Sequence, residues 1–507
     1  MDSVERKQLI FWMVLLLPLM AWFGTARKIG MIRGGHVFGD IATSVGATTS
    51  EPALIIAPIV GLAVAIGVGW LLGQLGGSEF DGANFTKFLR GTRVVSMPEL
   101  VKLTTEKDAV QVTIADCPVP TEAENEHIML AGSTGTGKSA GMRELMFKAI
   151  KRRDRFICVD PDGAMMSKFF RPGDKILNPY DERTEGWSFF NEIRNDYDFT
   201  RFADSMITKS DSSEGEDFTK FGRLIFSEVA KRLSRDGDQS MVTLHHLSTV
   251  EEPEKLQKYL KGSPAESLFV KGADKALGGA RFSLSDKLAP HLIMPNGDFS
   301  LRDWLDDPKA GNLWITYRDD MAPALRPIIS AWVDTLCSAL LSMDPDPDRR
   351  MWMFLDELAS LSELPSLINA LTKGRKVGLR VIAGLQSTAQ LNVVYGRDKA
   401  QSLRSCFRSL VVLGGGMTDA DTSEYLSRSL GEHEVEREQK TRSGGRNGGT
   451  NTAVRHEKER VVLPSQILAL PNLTGYIAFA GDFPIAKFTL TYLNFKQQVP
   501  GFLPKGL

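Results

Sequence analysis

The chain has 507 residues, 42% hydrophobic and 24% charged, the balance of a globular protein of two or three domains. Its 61 Lys and Arg against 62 Asp and Glu leave a formal net charge of -1, which excludes the overall electrostatic attraction by which strongly basic proteins bind nucleic acid, so any such contact must come from local patches. Cys117, Cys158, Cys337 and Cys406 show neither a CxxC pair nor metal-site spacing and read as reduced thiols of a cytosolic body.

Two charge-free apolar runs come first in the chain. LIFWMVLLLPLMAWFGTA (Leu9 to Ala26) and PALIIAPIVGLAVAIGVGWLLGQL (Pro52 to Leu75) are each long enough to cross the roughly 30 Å hydrocarbon slab as a helix. They predict a transmembrane helical hairpin within residues 1–76. Pro18 and Pro58 would break a soluble helix but are tolerated in lipid, and Trp12, Trp22 and Trp70 suit the interfaces. A cleaved signal peptide is the rival for the first run, because Arg6 and Lys7 precede it; the run exceeds the roughly 7–15 apolar residues such peptides use. Arg6, Lys7, Lys87, Arg90 and Arg93 favour both ends inside, whereas Arg27, Lys28 and Arg33 in the intervening loop oppose it. The nucleotide motif downstream needs the cytosol and decides the matter, with the loop from Arg27 to Glu51 on the other side.

From about Gly76 the pattern becomes α/β. VQVTIAD, HIMLAG, RFICVD, NLWITY, MWMFLDE, LRVIAGLQ, SLVVLGG and YIAFAG are short apolar runs bounded by Gly, Pro or Asp. Continuous rather than alternating apolarity predicts strands covered on both faces, as in a mostly parallel sheet wrapped by helices. Directly after HIMLA, the residues Gly132, Ser133, Thr134, Gly135, Thr136, Gly137, Lys138 and Ser139 satisfy G-x-x-x-x-G-K-[ST] and open the helix AGMRELMFKAI. That strand–loop–helix context makes the match a Walker A loop. Its backbone N–H groups and helix N-terminus suit phosphate, Lys138 reaches the β- and γ-phosphates of ATP, and Ser139 ligates Mg2+.

Between NPYDERTEGWSFFNEI (Asn178 to Ile193) and NLWITY the strand signal fades. Phe218, Phe221, Ile225, Val229 and Leu233 recur at helical spacing, with Gly237 as the stop, which predicts an all-helical domain inserted at residues 184–299. Lys220, Arg223, Lys231 and Arg232 lie off that stripe and admit two readings, a solvated face or DNA contact.

RRMWMFLDELASL carries a buried strand ending in Asp356 and Glu357. Asp356 would hold the metal and Glu357 would polarise the attacking water, an arrangement that favours hydrolysis over binding alone. In ALTKGRKVGL, Arg375 occupies a basic turn from which it could reach into a neighbouring subunit's site as a trans arginine; binding DNA phosphates, or merely solvating the turn, are the alternatives for Lys373, Arg375 and Lys376. Gln386 follows the next strand and could sense the γ-phosphate, as a polar residue at that place does in RecA-like motors. The glycine-rich, basic EQKTRSGGRNGGTNTAVRHEKER (Glu438 to Arg460) lacks apolar residues to bury and is expected to be a mobile loop. An ABC transporter is disfavoured, because nothing like its LSGGQ signature lies between Lys138 and Asp356 and two spans are too few to line a transport pathway.

Two spans, AGSTGTGKS, a strand ending in VDPDG (Val159 to Gly163), an NP…W…FNE stretch, a helical insertion, FLDELASL, KGRKVGL and GLQS occur in one order. The series resembles the conjugative coupling proteins of the TraD/TraG/TrwB type over essentially the whole chain. The resemblance implies a RecA-like P-loop NTPase domain (77–183 and 300–507), the inserted all-α domain and the membrane hairpin. It further implies a homo-oligomer of six subunits in a bacterial inner membrane, with most of the chain in the cytoplasm, at the base of a type IV secretion channel. Such a ring would receive a relaxase–DNA complex and move DNA with ATP, gripping phosphates without sequence preference at its lumen. Asp160 falls in the family's D-P-x-G turn, either as a structural turn or as a catalytic group, with Asp162 where many relatives have lysine. The sequence ends in QQVPGFLPKGL where some relatives carry a long acidic tail, which puts the expectation of relaxase recognition through such a tail in doubt. A chromosome pump of the FtsK kind and a nucleotide-regulated docking platform for protein cargo are the competing functions. DNA-stimulated ATP turnover separates the platform from a motor.

Overall fold

A charge-free run in lipid can satisfy its backbone N–H and C=O groups only within itself, and both runs are helical: Ser3–Lys28 and Pro52–Gln74, joined through a shorter helix, Val37–Gly46. The computed structural model describes residues 3–32, 37–74, 85, 87–207, 213–442 and 450–506. The chain divides into two units, Met1–Asn84 and Phe85–Leu507. In the first unit the two long helices pack tightly at Gly61, where a Cβ would stand 2.9 Å from the Leu17 carbonyl oxygen. A small cluster of Ala26, Ile32 and Leu54 closes one end, and Trp22 Nε1 donates to Thr48 Oγ1 at 3.1 Å. Only 6% of Ile10–Lys28 and 17% of Pro52–Trp70 is buried, whereas Ala322–Leu341, comparable in length and apolarity, is 78% buried. That contrast identifies the first two as lipid-facing and the third as a core helix. The boundary at residues 76 and 77 and the loop residue Arg33 lie outside the described residues.

Among the described residues of the second unit the strands are β1 Lys87–Gly91, β2 Val94–Val95, β3 Thr113–Ile114, β4 Cys117–Pro118, β5 Ile128–Ala131, β6 Arg155–Pro161, β7 Lys175–Leu177, β8 Leu313–Tyr317, β9 Met351–Leu355, β10 Leu379–Leu385, β11 Ser409–Leu413, β12 Glu432–Arg442, β13 Thr450–Arg460, β14 Thr474–Ala478 and β15 Ile485–Thr489. Ten of them form one sheet in the order β2-β15-β14-β11-β5-β10-β9-β6-β8-β7. From β11 to β7 every pairing is parallel, while β14 and β15 add antiparallel strands at one side. The sheet is therefore mostly parallel, as continuous apolarity predicts. β5, β8, β9 and β10 are buried at every residue. The helix Lys138–Arg152 covers one face through Met142, Leu145 and Met146, packed with Phe156, Trp314, Trp352 and Phe354.

The helices Asp196–Met206, Ser213–Asp236 and Asp274–Ile293 lie between β7 and β8. Phe189, Phe202 and Phe226 pack ring against ring there, and Trp187 meets Trp332 of the core helix edge-on at 5.7 Å. Trp187 pairs with Phe299, and Gly186 leaves no room for a Cβ beside Asn296, so the two ends of this segment run side by side. Gly237, at φ 80°, ends the Ser213–Asp236 helix. Its off-stripe cations are engaged within the chain: Lys220 with Asp217, Arg223 with the Ile207 carbonyl, Lys231 with Glu228, and Arg232 with the carbonyls of Tyr259 and Lys261.

Two expectations need correction. Most of VQVTIAD is not a strand. Only Thr113 and Ile114 pair, in a separate two-stranded piece with β4. Glu144 on the Lys138–Arg152 helix takes up Thr113 Oγ1 and the N–H groups of Ala115 and Asp116, pinning a left-handed turn where the strand would continue. The Glu438–Arg460 segment is not a loop either. Outside residues 443–449, which are not described, it belongs to the eleven-residue strands β12 and β13, paired antiparallel and flanked by β1. Cross-strand charges stand in for the missing apolar face: Arg437 meets Glu459 at 2.8 Å, Lys458 meets Glu432 at 2.5 Å, and Arg90 of β1 meets Glu434.

Candidate nucleotide site

The functional residues gather at the carboxyl ends of β5, β10 and β9, where side chains and helix N-termini converge in parallel α/β sheets. The loop Gly132–Gly137 leaves β5 and returns as the Lys138–Arg152 helix. Gly135 and Gly137 take φ 79° and 121°, which side-chain-bearing residues rarely adopt. Ser133 donates its N–H to the Gly414 carbonyl at 2.9 Å, Thr136 Oγ1 donates to the Ser133 carbonyl at 2.7 Å, and Thr134 is exposed at the tip. Lys138 Nζ donates to the carbonyls of Gly132 (2.7 Å) and Ser133 (3.1 Å). Burial lowers its pKa, opposed by the charges of Glu357 and Asp356.

Ser139 Oγ lies 3.1 and 3.3 Å from the two Asp356 carboxylate oxygens. β9 reaches this point because β10 alone separates it from β5, and Gly384 of β10 makes the fit possible: a Cβ there would collide with the Asp356 carbonyl oxygen. Burial raises the Asp356 pKa, opposed by Ser139, Lys138 and Arg143. Burial also pushes Glu357 up to about 7, opposed chiefly by Lys138 and the Ala359 N–H. One Glu357 oxygen, Oε2, is buried without a hydrogen-bond partner, while Oε1 accepts the Ala359 N–H at 3.4 Å. The backbone N–H of Gln386, first residue after β10, also bears on this carboxylate. A hydroxyl and a carboxylate oxygen about one hydrogen bond apart fit a hard cation that keeps waters and phosphate oxygens as its other ligands, the habit of Mg2+. Among the described residues no group of three or more His, Cys, Asp or Glu forms a self-sufficient metal cage.

Lys138, Ser139, Asp356, Glu357 and Gln386 thus meet; Arg375 does not join them. It precedes β10, at the opposite end of the sheet, and its Nη1 pairs with Glu126 at 3.2 Å. Asp160, next to last in β6 and beside Asp356, is fully buried, with Oδ2 accepting the N–H groups of Met165 (2.9 Å) and Met166 (2.7 Å) and Oδ1 accepting that of Met165 at 3.1 Å. Those bonds make it the clamp of the D-P-D-G turn, even though burial lifts its pKa to about 7. Sequence reasoning missed two further parts of the loop's support. Leu473 donates its N–H to the Thr136 carbonyl at 2.8 Å and closes over Gly137, and the glycines after β11 receive Ser133. The GGG of Gly414 to Gly416, just after an apolar run, was the available signal.

Residues 111–491 match the profile of the type IV secretion-system coupling protein DNA-binding domain. The coupling protein TraD of Escherichia coli K12 is 30% identical over 476 residues, covering 90% of this chain but 65% of TraD. A conjugal transfer protein TraG of Rhizobium radiobacter is 28% identical over 155 residues, covering 30% of this chain and 24% of its own length. The chain therefore spans just under two thirds of TraD and about a quarter of TraG. Among solved structures, the conjugative coupling protein TrwBdeltaN70 in its unbound form superposes with a TM-score of 0.80 at 53% identity, over 84% of this chain and 98% of that one. Plasmid coupling protein TrwB in complex with ADP and Mg2+ superposes at 0.79, also at 53% identity, over 84% of this chain and all of that one. With its profile matched across 111–491, this chain belongs to the type IV secretion-system coupling protein family.

Proposed function

We propose that the protein is a membrane-anchored, DNA-dependent ATPase that moves DNA from a relaxosome into a type IV secretion channel during bacterial conjugation. The observation that carries the reading is the meeting of Lys138, Ser139, Asp356 and a half-partnered Glu357 on one edge of a parallel sheet, in a chain that begins with two lipid-facing helices. The relatives described as coupling proteins, one of them bound to ADP and Mg2+, support it.

In this reading the N–H groups of Gly132 to Ser139 hold the β- and γ-phosphates, and Lys138 exchanges its two carbonyl partners for phosphate oxygens. Ser139 and Asp356 would hold Mg2+, which would supply charge neutralisation on the phosphates. Glu357 Oε2 accepts a proton from the attacking water, and Gln386 reports the state of the γ-phosphate to β10. Arg375 acts on the nucleotide of the adjoining subunit in a ring of six. Residues 184–299 form a separate all-α domain on the 77–183 and 300–507 core. The hairpin fixes the ring in the inner membrane, so hydrolysis moves the strand through the ring instead of the ring along the strand. Relaxase and channel components dock on the cytoplasmic body.

The full-length protein in lipid nanodiscs should hydrolyse ATP in the presence of Mg2+, faster with DNA. Glu357→Gln should retain ADPNP while losing turnover. Absence of hydrolysis by the unmodified chain, with and without DNA, would falsify the enzyme reading.

A further inference from the structure

We infer that Glu126 is a positioning residue that holds Arg375 and Arg408 together as a two-arginine donor for the nucleotide phosphates of a second copy of this chain, and ties that donor to its own P-loop strand. The inference rests on the ATPase reading above and extends it to two residues to which that reading gives no role. Glu126 Oε1 takes Arg375 Nη1 at 3.2 Å and Oε2 takes Arg408 Nη1 at 2.7 Å. The carboxylate side chain is 14% exposed; the two guanidinium side chains are 59% and 60% exposed. One acid facing two cations leaves a positive charge over, and two guanidinium groups converging on one point repel each other. As a device for stability this is poor, since exposed ion pairs contribute about 0–1 kcal/mol. As a donor it is well formed, because a phosphate carries more charge than a carboxylate and presents several acceptors to a pair of planar forks.

The recipient is not the chain's own nucleotide. Glu126 precedes β5, Arg375 precedes β10 and Arg408 precedes β11, three neighbouring strands. The far ends of those same strands carry the P-loop, Gln386 and Gly414. Seven residues of β10 at about 3.3 Å each put roughly 20 Å between the arginines and their own pocket. A phosphate within their reach must therefore come from another molecule.

Glu126 is also fixed from behind. Its carbonyl accepts the Arg408 N–H at 3.1 Å. The next residue, His127, accepts the Val381 N–H of β10 at Nδ1 (3.0 Å) and so donates Nε2–H to the Leu371 carbonyl (2.8 Å). Glu124, buried, is gripped by Arg152 at 2.7 and 2.9 Å and by Arg380 at 3.0 Å. A pull on the arginine pair is thereby passed to the start of β5, whose other end is the P-loop.

The test uses full-length protein in nanodiscs. Arg408→Ala subunits, with intact P-loops, are mixed with Lys138→Thr subunits, which have intact arginines. The inference requires Arg408→Ala alone to lose about tenfold or more in turnover, and the mixture to exceed the sum of its parts. Binding of ADPNP with Mg2+ is measured in parallel, since it needs no hydrolysis: a Hill coefficient above one in the unmodified chain falls to about one in Glu126→Gln and is partly restored in Glu126→Asp. Mixtures without gain, together with unchanged cooperativity in Glu126→Gln, overturn the inference while leaving an active unmodified chain as an ATPase. If the unmodified chain does not hydrolyse ATP, the enzyme reading falls and the binding arm alone decides the coupling. A loss of DNA affinity in Arg408→Ala with DNA-free turnover unchanged assigns the pair to DNA and overturns the inference as well.

Discussion

Buried His127 and half-buried Glu357 are both titratable, and desolvation drives them in opposite directions. Glu357 is pushed up to about 7 because its charged form is desolvated. Proton acceptance needs the carboxylate, so turnover should fall as pH drops below about 7 and level off above it, and bound Mg2+ can only lower that midpoint. A pH series of kcat checks this, and a profile flat from pH 5 to 8 would remove Glu357 from the proton-transfer step. His127 is lowered by burial to about 4 from an ordinary 6.5. A depressed folded pKa gives stability that is complete above pH 6.5 and is lost as pH falls through 4. The full loss is roughly 3 kcal/mol at about 1.4 kcal/mol per pH unit. Thermal unfolding between pH 7 and 4 should show it, and His127→Asn, which can still accept from Val381 and donate to Leu371, should flatten that part of the curve.

At the scale of elements, the approach of β9 to β10 decides whether Asp356 reaches Ser139. Gly384 permits that approach, so Gly384→Ala should force the strands apart at the metal end, costing about 1–3 kcal/mol of stability and on the order of 100-fold in turnover. Unfolding and ATPase measurements on the same preparation separate the two effects; full activity would show that the strand ends can shift freely. Seven of the eight apolar runs are strands because each is sealed on both faces, and continuous apolarity reports that sealing directly. The P-loop and the Asp356–Glu357 pair were legible for a related reason: their chemistry follows a strand end in sequence. Arg375 was legible as a residue, while its pairing with Glu126 spans 249 positions and left no local mark. β12 and β13 escaped notice because charge alternation with glycine between looks like a solvated loop until the two strands are laid side by side. Only then do Arg437 and Glu459, or Lys458 and Glu432, become neighbours.

For the whole molecule, hydrolysis would be a property of assemblies if, as proposed, Arg375 acts in trans. It stands at the edge of the sheet remote from its own P-loop, so an isolated copy would hold ATP with Lys138, Ser139, Asp356 and Glu357 but lack the cation that offsets charge on the transferring phosphoryl group. The lipid-facing helices confine copies to two dimensions, which raises their encounter frequency without any new protein contact. In dilute detergent the turnover per subunit should therefore rise with protein concentration, and at equal protein it should be higher and nearly concentration-independent in lipid vesicles at high surface density. Arg375→Ala should abolish that dependence and lower turnover on the order of 10³-fold, about 4 kcal/mol, with ADPNP affinity retained. A substitution that merely loosened the turn would lower stability and activity in proportion and keep the concentration dependence. Turnover per subunit that is the same at every dilution in the unmodified chain would mean that each copy completes its own site, and the trans role of Arg375 would have to be given up.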